Sequence, residues 1–180
     1  MGRVKWSVSA GAVLLFALMY FFDGSGIVSA AIPAIVLHEL GHYLALCLSR
    51  KRITRVCVNV TGVELNYAGS LGSVQALLCA AAGPVAGLLY GMAAARTRSA
   101  FLRMSGSASL ALSVFNLLPV LPLDGGRIVS AVFGPKRGEL FSRCFSVIVL
   151  LLGAAAAWYC RALSLLLMGA WLTVCNFRTR

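Results

Sequence analysis

The sequence predicts an all-α membrane protein, a bundle of six transmembrane helices with a short β-hairpin-like segment between helices 2 and 3. Composition is the first reason: 60% of the 180 residues are hydrophobic and the mean hydropathy is +0.89, against about 45–50% apolar residues in soluble domains. The second is that short basic clusters separate apolar stretches of membrane-spanning length. The length fits one compact bundle, so we expect residues 1–180 to form a single domain.

Six apolar segments follow one another along the chain. They run over Val8–Phe22, Ile27–Leu48, Val74–Ala95, Ser105–Leu121, Leu140–Tyr159 and Leu163–Phe177. A bilayer is crossed by about 20 helical residues. The shorter segments are therefore expected to tilt or to use flanking residues.

The basic residues predict how the segments are oriented. With six spans, twelve Lys and Arg residues fall on the side of the N-terminus and four on the other side. The positive-inside rule then places both termini in the cytoplasm of a multi-pass cell-membrane protein, which we expect in a bacterial inner membrane. One alternative stays open: Val8–Phe22 also resembles the apolar core of a signal peptide cleaved after Val28-Ser29-Ala30, which would leave five spans.

The net charge of +11 indicates contact with the anionic lipid bilayer. Nucleic acid is not expected as a partner, because no aromatic and basic recognition module accompanies the charge.

Between the second and third segments, Ile53–Tyr67 is β-branched and partly alternating, with Thr61-Gly62 as a turn. This pattern predicts a short hairpin. An exposed strand edge could hold an extended substrate by β-augmentation. An ordinary connecting loop is the alternative.

A metal-binding motif lies inside the second apolar segment. The only two histidines of the chain occur in His38-Glu39-Leu40-Gly41-His42. Residues four apart share one face of a helix, so both imidazoles can reach one ion. HExxH on a helix is typical of zinc proteases, in which the two histidines hold Zn²⁺ and the glutamate activates water. Ionisable groups within a membrane segment are themselves functional candidates.

A second motif ends the fourth apolar segment, in the run from Asn116 to Arg127, NLLPVLPLDGGR. Its two prolines interrupt a helix, and its paired glycines permit a tight turn. A catalytic zinc takes three protein ligands, and Asp124 is the best third candidate by elimination among the five acidic residues. Alternatively, Asp124 caps the following segment.

The two motifs together resemble the site-2 protease family of intramembrane zinc metalloproteases. The six-span subgroup of the stage IV sporulation protease is the most similar, and Ala82-Gly83-Pro84 resembles the family's Gly-Pro element. The resemblance implies His38, His42 and Asp124 as zinc ligands and Glu39 as general base. It also implies that Asn116 contacts the substrate backbone. Because the sequence stops at Arg180, directly after the sixth segment, we expect no CBS domain. Sensing of ATP through such a domain is therefore not expected of this chain.

The predicted function is therefore hydrolysis of peptide bonds in membrane-embedded or membrane-associated substrates, in regulated intramembrane proteolysis. A regulatory membrane partner or a homo-oligomer stays open. Two other classes compete. One is a membrane metalloprotease with a glutamate as third ligand, but Glu139, its late candidate, is followed by no aspartate. The other is a non-catalytic membrane scaffold or a metal transporter, against which the intact HExxH motif argues.

Overall fold

A computed structural model describes residues 4–59, 62–161 and 163–178, and these residues are mainly helical. In chain order the elements are β1 (Lys5–Val8), α1 (Ala10–Phe21), α2 (Ile27–Leu48), β2 (Ile53–Asn59), β3 (Gly62–Tyr67), α3 (Ser73–Ala95), α4 (Ala100–Asn116), α5 (Asp124–Phe133), α6 (Pro135–Cys160) and α7 (Leu163–Arg178). Each of the six predicted apolar segments corresponds to one of these helices.

Three helices of the described residues, α2, α3 and α6, are long and apolar enough to cross a membrane. The helices α1 and α7 are apolar but shorter. Large apolar side chains on α6 point outward, and Leu151 and Leu152 are each 64% exposed, as expected where lipid replaces water. The membrane character of the chain is thus supported, while the number of six spans stays a prediction.

The chain forms two compact units, of which the first ends at Val114 and the second begins at Phe115. The first contains the sheet and the helices up to most of α4. The second contains the end of α4 and the helices α5 to α7. The expectation of one domain over residues 1–180 stays a prediction.

In the first unit, α2 packs closely against α3. A Cβ atom on Gly41 would lie 2.5 Å from the carbonyl oxygen of Ala82 and 2.9 Å from the Cβ of Ala86. Only a residue without a side chain permits this approach. Gly41, one of the two x positions of the HExxH motif, therefore permits the close packing of α2 against α3.

The start of α2 is capped by Asp23. Its carboxylate accepts hydrogen bonds from the backbone N–H groups of Ile27 (3.2 Å) and Val28 (2.7 Å) and from the hydroxyl of Ser25 (2.7 Å). The hydrogen bond from Ser25 is the main reason that the pKa of Asp23 is lowered. The cap satisfies N–H groups that the first helical turn leaves open.

The predicted hairpin is confirmed in β2 and β3, which pair antiparallel from Ile53↔Tyr67 to Asn59↔Gly62. Thr61, the other predicted turn residue, lies outside the described residues. The sheet has a third strand that the sequence did not predict, since β1 pairs parallel to β2 from Lys5↔Arg55 to Val8↔Val58. Partners so distant in sequence leave no local pattern to detect. The central strand is β2, so β3 is an edge strand.

The second unit corrects one predicted boundary. The fourth apolar segment was expected to reach Leu121, but α4 ends at Asn116. Pro119 and Pro122 lack backbone N–H groups and disfavour helix at the residues before them. A short helix that the sequence did not predict, α5, then begins at Asp124. Val120, Leu123 and Leu172 form a buried apolar cluster beside these residues.

Candidate metal centre

The two histidines of the first unit converge on one face of α2. His38 is buried and His42 is half-buried. Their Nε2 atoms lie 3.3 Å apart, and their ring centroids are 4.9 Å apart at an interplanar angle of 78°. The spacing of four residues therefore brings two imidazole nitrogens within reach of one ion, as the sequence predicted.

A backbone carbonyl of the neighbouring helix fixes the ring of His42. The Nδ1 atom lies 2.7 Å from the carbonyl oxygen of Cys79 in α3. A carbonyl can only accept a hydrogen bond, so Nδ1 carries the proton and donates it. The neutral tautomer then leaves the lone pair on Nε2, the nitrogen that faces His38. This is the usual outer contact of a metal-binding histidine.

The separation of the two Nε2 atoms fits a tetrahedral zinc ion. Zinc–nitrogen bonds of about 2.0–2.1 Å at the tetrahedral angle place two ligand nitrogens about 3.3 Å apart. The observed separation is 3.3 Å. Both the distance and the tautomer therefore suit zinc at this pair.

Gly83 of α3 provides the space for the His42 ring. A Cβ atom at this position would overlap the Nε2 atom of His42 and lie 2.6 Å from its Cε1 atom. Real Cβ atoms do not approach a ring so closely. The sequence singled out Ala82-Gly83-Pro84 as a family element, and the structure gives its glycine a direct role beside a candidate ligand.

Glu39 lies on α2 between the two histidines and is half-buried. As the neighbour of His38, it lies about 100° further around the helix. The helix thus carries two nitrogen donors and one carboxylate within five consecutive positions.

Asp124 of the second unit is the first residue of α5 and only 5% exposed. A guanidinium nitrogen of Arg127, one turn later, lies 3.9 Å from its Oδ1 atom. The adjacent Gly125 and Gly126 let the helix start lie directly on the preceding loop. A Cβ on Gly125 would overlap the carbonyl oxygens of Leu117 and Leu118, and one on Gly126 would lie 2.5 Å from the backbone nitrogen of Leu121.

The loop before Asp124 is held by two buried side chains that sequence reasoning missed. Ser142 of α6 accepts a hydrogen bond from the backbone N–H of Leu121 at 2.6 Å. Asn176 of α7 donates to the carbonyl oxygen of Leu121 at 2.6 Å. These partners are 21 and 55 residues away, and no pattern of apolar spacing signals them. Asn116, by contrast, is half-buried at the end of α4, as the sequence placed it.

The chain is similar in sequence to known proteins. The model of Peptidase family M50 matches residues 68–160, which include Asn116 and Asp124 and follow the HExxH motif. An inferred zinc metalloprotease of Synechocystis sp. is 30% identical over 63% of this chain and 33% of its own length. A zinc metalloprotease of Methanocaldococcus jannaschii is 30% identical over 61% of this chain and 34% of its own length. The chain thus spans about a third of the length of these relatives.

The fold has a solved counterpart as well. The structure of a site-2 protease from Methanocaldococcus jannaschii superposes with a TM-score of 0.71, covering 99% of this chain and 92% of that one at 18% identity. At this identity the likeness shows the fold alone. Membership follows from the family match, which covers more than half of the residues. This chain belongs to Peptidase family M50.

Proposed function

We propose that this protein is an intramembrane zinc metalloprotease that hydrolyses peptide bonds of membrane-embedded or membrane-associated substrates. The observation that carries the proposal is the His38–His42 pair. Two Nε2 atoms converge at 3.3 Å on an apolar helix long enough to cross a membrane. Groups of this kind are costly within a membrane segment and are retained there for function.

His38, His42 and Asp124 are the proposed zinc ligands. Each offers one ligand atom of a kind that zinc takes. Two imidazoles and one carboxylate are a frequent donor set of catalytic zinc, which leaves a fourth position for water or substrate. The buried position of Asp124 favours the carboxylate as a ligand rather than as a solvent-exposed helix cap.

When bound, zinc supplies a Lewis acid at this position. Glu39 then takes a proton from the attacking water and delivers it to the nitrogen of the leaving amine. The side-chain amide of Asn116 offers both a donor and an acceptor, which suits contact with the substrate backbone. Glu39 thereby serves as the base and transfers the proton, and Asn116 binds the substrate backbone.

Six membrane spans with both termini in the cytoplasm remain the proposed topology. The split of twelve and four basic residues supports it. Helices α1, α4 and α7 have 12, 17 and 16 residues, fewer than a straight span needs, so they would cross with the help of flanking residues. The proposed localisation is a cell membrane.

The substrate is proposed to be an extended segment of a membrane protein. A helix hides its peptide bonds, so the scissile segment must unwind, and an open strand edge can hold it. Among the described strands, β3 offers such an edge. A regulatory membrane partner or a homo-oligomer is compatible with this arrangement, and nucleic acid is not a proposed partner.

Replacing Glu39 by glutamine tests the proposal. Glu39→Gln should reduce cleavage of a transmembrane reporter by at least about 10²–10⁴-fold, because the amide keeps the shape but accepts no proton. Bound zinc, measured by metal analysis of the purified protein, should stay near one ion per chain. Glu139→Gln is the matched control, since Glu139 is exposed on α6. Near-normal cleavage by Glu39→Gln would refute the role of the base, and zinc-loaded wild-type protein without any cleavage would favour a scaffold.

A further inference from the structure

The loop at 117–123 is anchored by a closed ring of hydrogen bonds in the second unit. The N–H of Leu121 donates to Ser142 Oγ at 2.6 Å, and the Ser142 hydroxyl donates to Asn176 Oδ1. The amide nitrogen of Asn176 donates back to the carbonyl oxygen of Leu121 at 2.6 Å. Its second N–H donates to the carbonyl oxygen of Leu172 at 2.9 Å, within α7 itself. Both backbone polar groups of one loop residue are thus satisfied by two side chains.

The orientation of the Asn176 amide follows from these partners. Two of its contacts are backbone carbonyl oxygens, which accept only, so the nitrogen must face them. Its oxygen is left for the Ser142 hydroxyl. Ser142 is fully buried and Asn176 is 4% exposed. Buried polar groups that are fully satisfied fix one geometry, because every alternative leaves a group unpaired.

The hydrogen-bonded Leu121 peptide lies against the start of α5, the helix that begins with the proposed zinc ligand Asp124. A Cβ on Gly126 would lie 2.5 Å from the Leu121 nitrogen and 2.6 Å from the Val120 carbonyl carbon. The N–H of Leu123 bonds to the carbonyl oxygen of Val120 at 2.9 Å. The first turn of α5, which carries Asp124, therefore lies directly on the Leu121 peptide. A shift of that peptide must move the carboxylate.

We propose that Ser142 and Asn176 are positioning residues, which hold the Leu121 peptide and thereby aim the Asp124 carboxylate at zinc. The inference rests on the proposed function, since it requires Asp124 to be a ligand. It assigns a task to polar residues of α6 and α7, two helices that carry no catalytic motif. Partners that orient metal ligands typically change metal affinity by 10–100-fold when lost.

The test compares two pairs of substitutions. Ser142→Ala and Asn176→Leu each open the ring. Ser146→Ala and Thr173→Val are the matched controls. Ser146 lies one turn further along α6, is fully buried, and donates to the Arg143 carbonyl of its own helix. The Thr173 hydroxyl lies 3.2 Å from the Ser146 carbonyl oxygen and 2.8 Å from the Gly169 carbonyl oxygen of its own helix, so its loss weakens a contact between α6 and α7 without touching the loop.

Two readouts are measured on purified full-length protein in detergent. Hydrogen exchange of peptides covering 117–123 reports on the loop directly, without zinc. Competition with a chelator reports on zinc affinity. Ser142→Ala and Asn176→Leu should speed exchange in the loop and lower zinc affinity by about 10–100-fold. Ser146→Ala and Thr173→Val should lower the melting temperature similarly and change neither readout.

A graded variant and the double variant sharpen the result. Ser142→Cys keeps a weaker donor and acceptor of similar size, so its zinc affinity should fall between those of wild type and Ser142→Ala. If Ser142→Ala fails to fold, this cysteine variant carries the test. Because either substitution opens the same ring, the double variant should lose little more than each single variant.

The outcomes separate the two proposals. Unchanged loop exchange in Ser142→Ala and Asn176→Leu would overturn the inference, as would faster exchange with wild-type zinc affinity. In both cases a wild-type protein that binds zinc and cleaves would leave the proposed function standing. Wild-type protein that binds no zinc would instead overturn the proposed function, and this inference with it.

Discussion

The two sets of candidate ligands are built in different ways. In the first unit, His38 and His42 lie on one helix, and four residues of separation are enough to bring their Nε2 atoms to 3.3 Å. In the second unit, Asp124 follows a proline-rich loop and depends on side chains 21 and 55 residues from Leu121. One geometry is local, and the other is assembled from three helices and a loop.

This difference teaches where the chain is sensitive. The helix itself sets the spacing of a helical pair, so elements distant in sequence act only on ring orientation, as Cys79 and Gly83 of α3 do for His42. No helical repeat fixes the position of a ligand that follows a loop, so this position depends on the side chains that bind the loop. We therefore expect substitutions far from Asp124 in sequence to change its backbone position, and substitutions far from the histidines to change only the orientation of their rings.

Loss of the aspartate itself should have the largest effect. Asp124→Ala removes a charged ligand, so zinc affinity and cleavage should both fall by at least about 100-fold, beyond the usual cost of losing an outer partner. Asp124→Asn keeps one neutral oxygen and should lie between. Metal analysis and a cleavage assay on the same preparations measure both quantities.

A variant Asp124→Ala with full zinc and full activity would reduce Asp124 to a helix cap. The contrast between the two units would then lose its functional meaning. Glu139→Gln serves as the control within the second unit, since its carboxylate pairs with Arg143 on the same helix and should leave zinc unchanged.

The local set has one sensitive neighbour, Gly83. Gly83→Ala should push the His42 ring from its place and lower zinc affinity by about 10–100-fold, as loss of an orienting contact does. Gly91→Ala is the matched control on α3, because its Cβ would overlap the side chain of Leu110 rather than His42. Chelator competition on both proteins decides the matter. Equal losses in the two variants would mean that only helix packing was disturbed.

Sequence reasoning reached as far as local rules extend. The HExxH spacing predicts the His38–His42 pair, and the alternation over Ile53–Tyr67 predicts β2 and β3. It missed β1, whose partner β2 is distant in sequence, and it missed α5, because the prolines before it obscured a new helix start. The roles of Ser142 and Asn176 could not be predicted for the same reason, since their shared partner Leu121 is distant in sequence. A buried serine on an apolar helix looks like any small packing residue until the loop it holds is known.

The smallest expected effect concerns the edge of the sheet. The N–H of Ala68 points to β2, where it donates to the carbonyl oxygen of Arg52 at 2.9 Å. Backbone groups alternate in direction along a strand, so the N–H of Val63 points to the open edge of β3. Val58, by contrast, lies on the central strand and is paired on both sides.

Val63→Pro removes this N–H from the proposed substrate edge. Loss of one hydrogen bond is worth about 0.5–1.5 kcal/mol, so KM for a reporter substrate should rise about two- to twelvefold while bound zinc and kcat stay unchanged. Val63→Ala is the control, because it loses the same packing against the buried cluster around Val56 but keeps the N–H. Equal KM values for the two variants would show that β3 holds no substrate. A fall in zinc with Val63→Pro would show instead that the sheet supports the histidine helix.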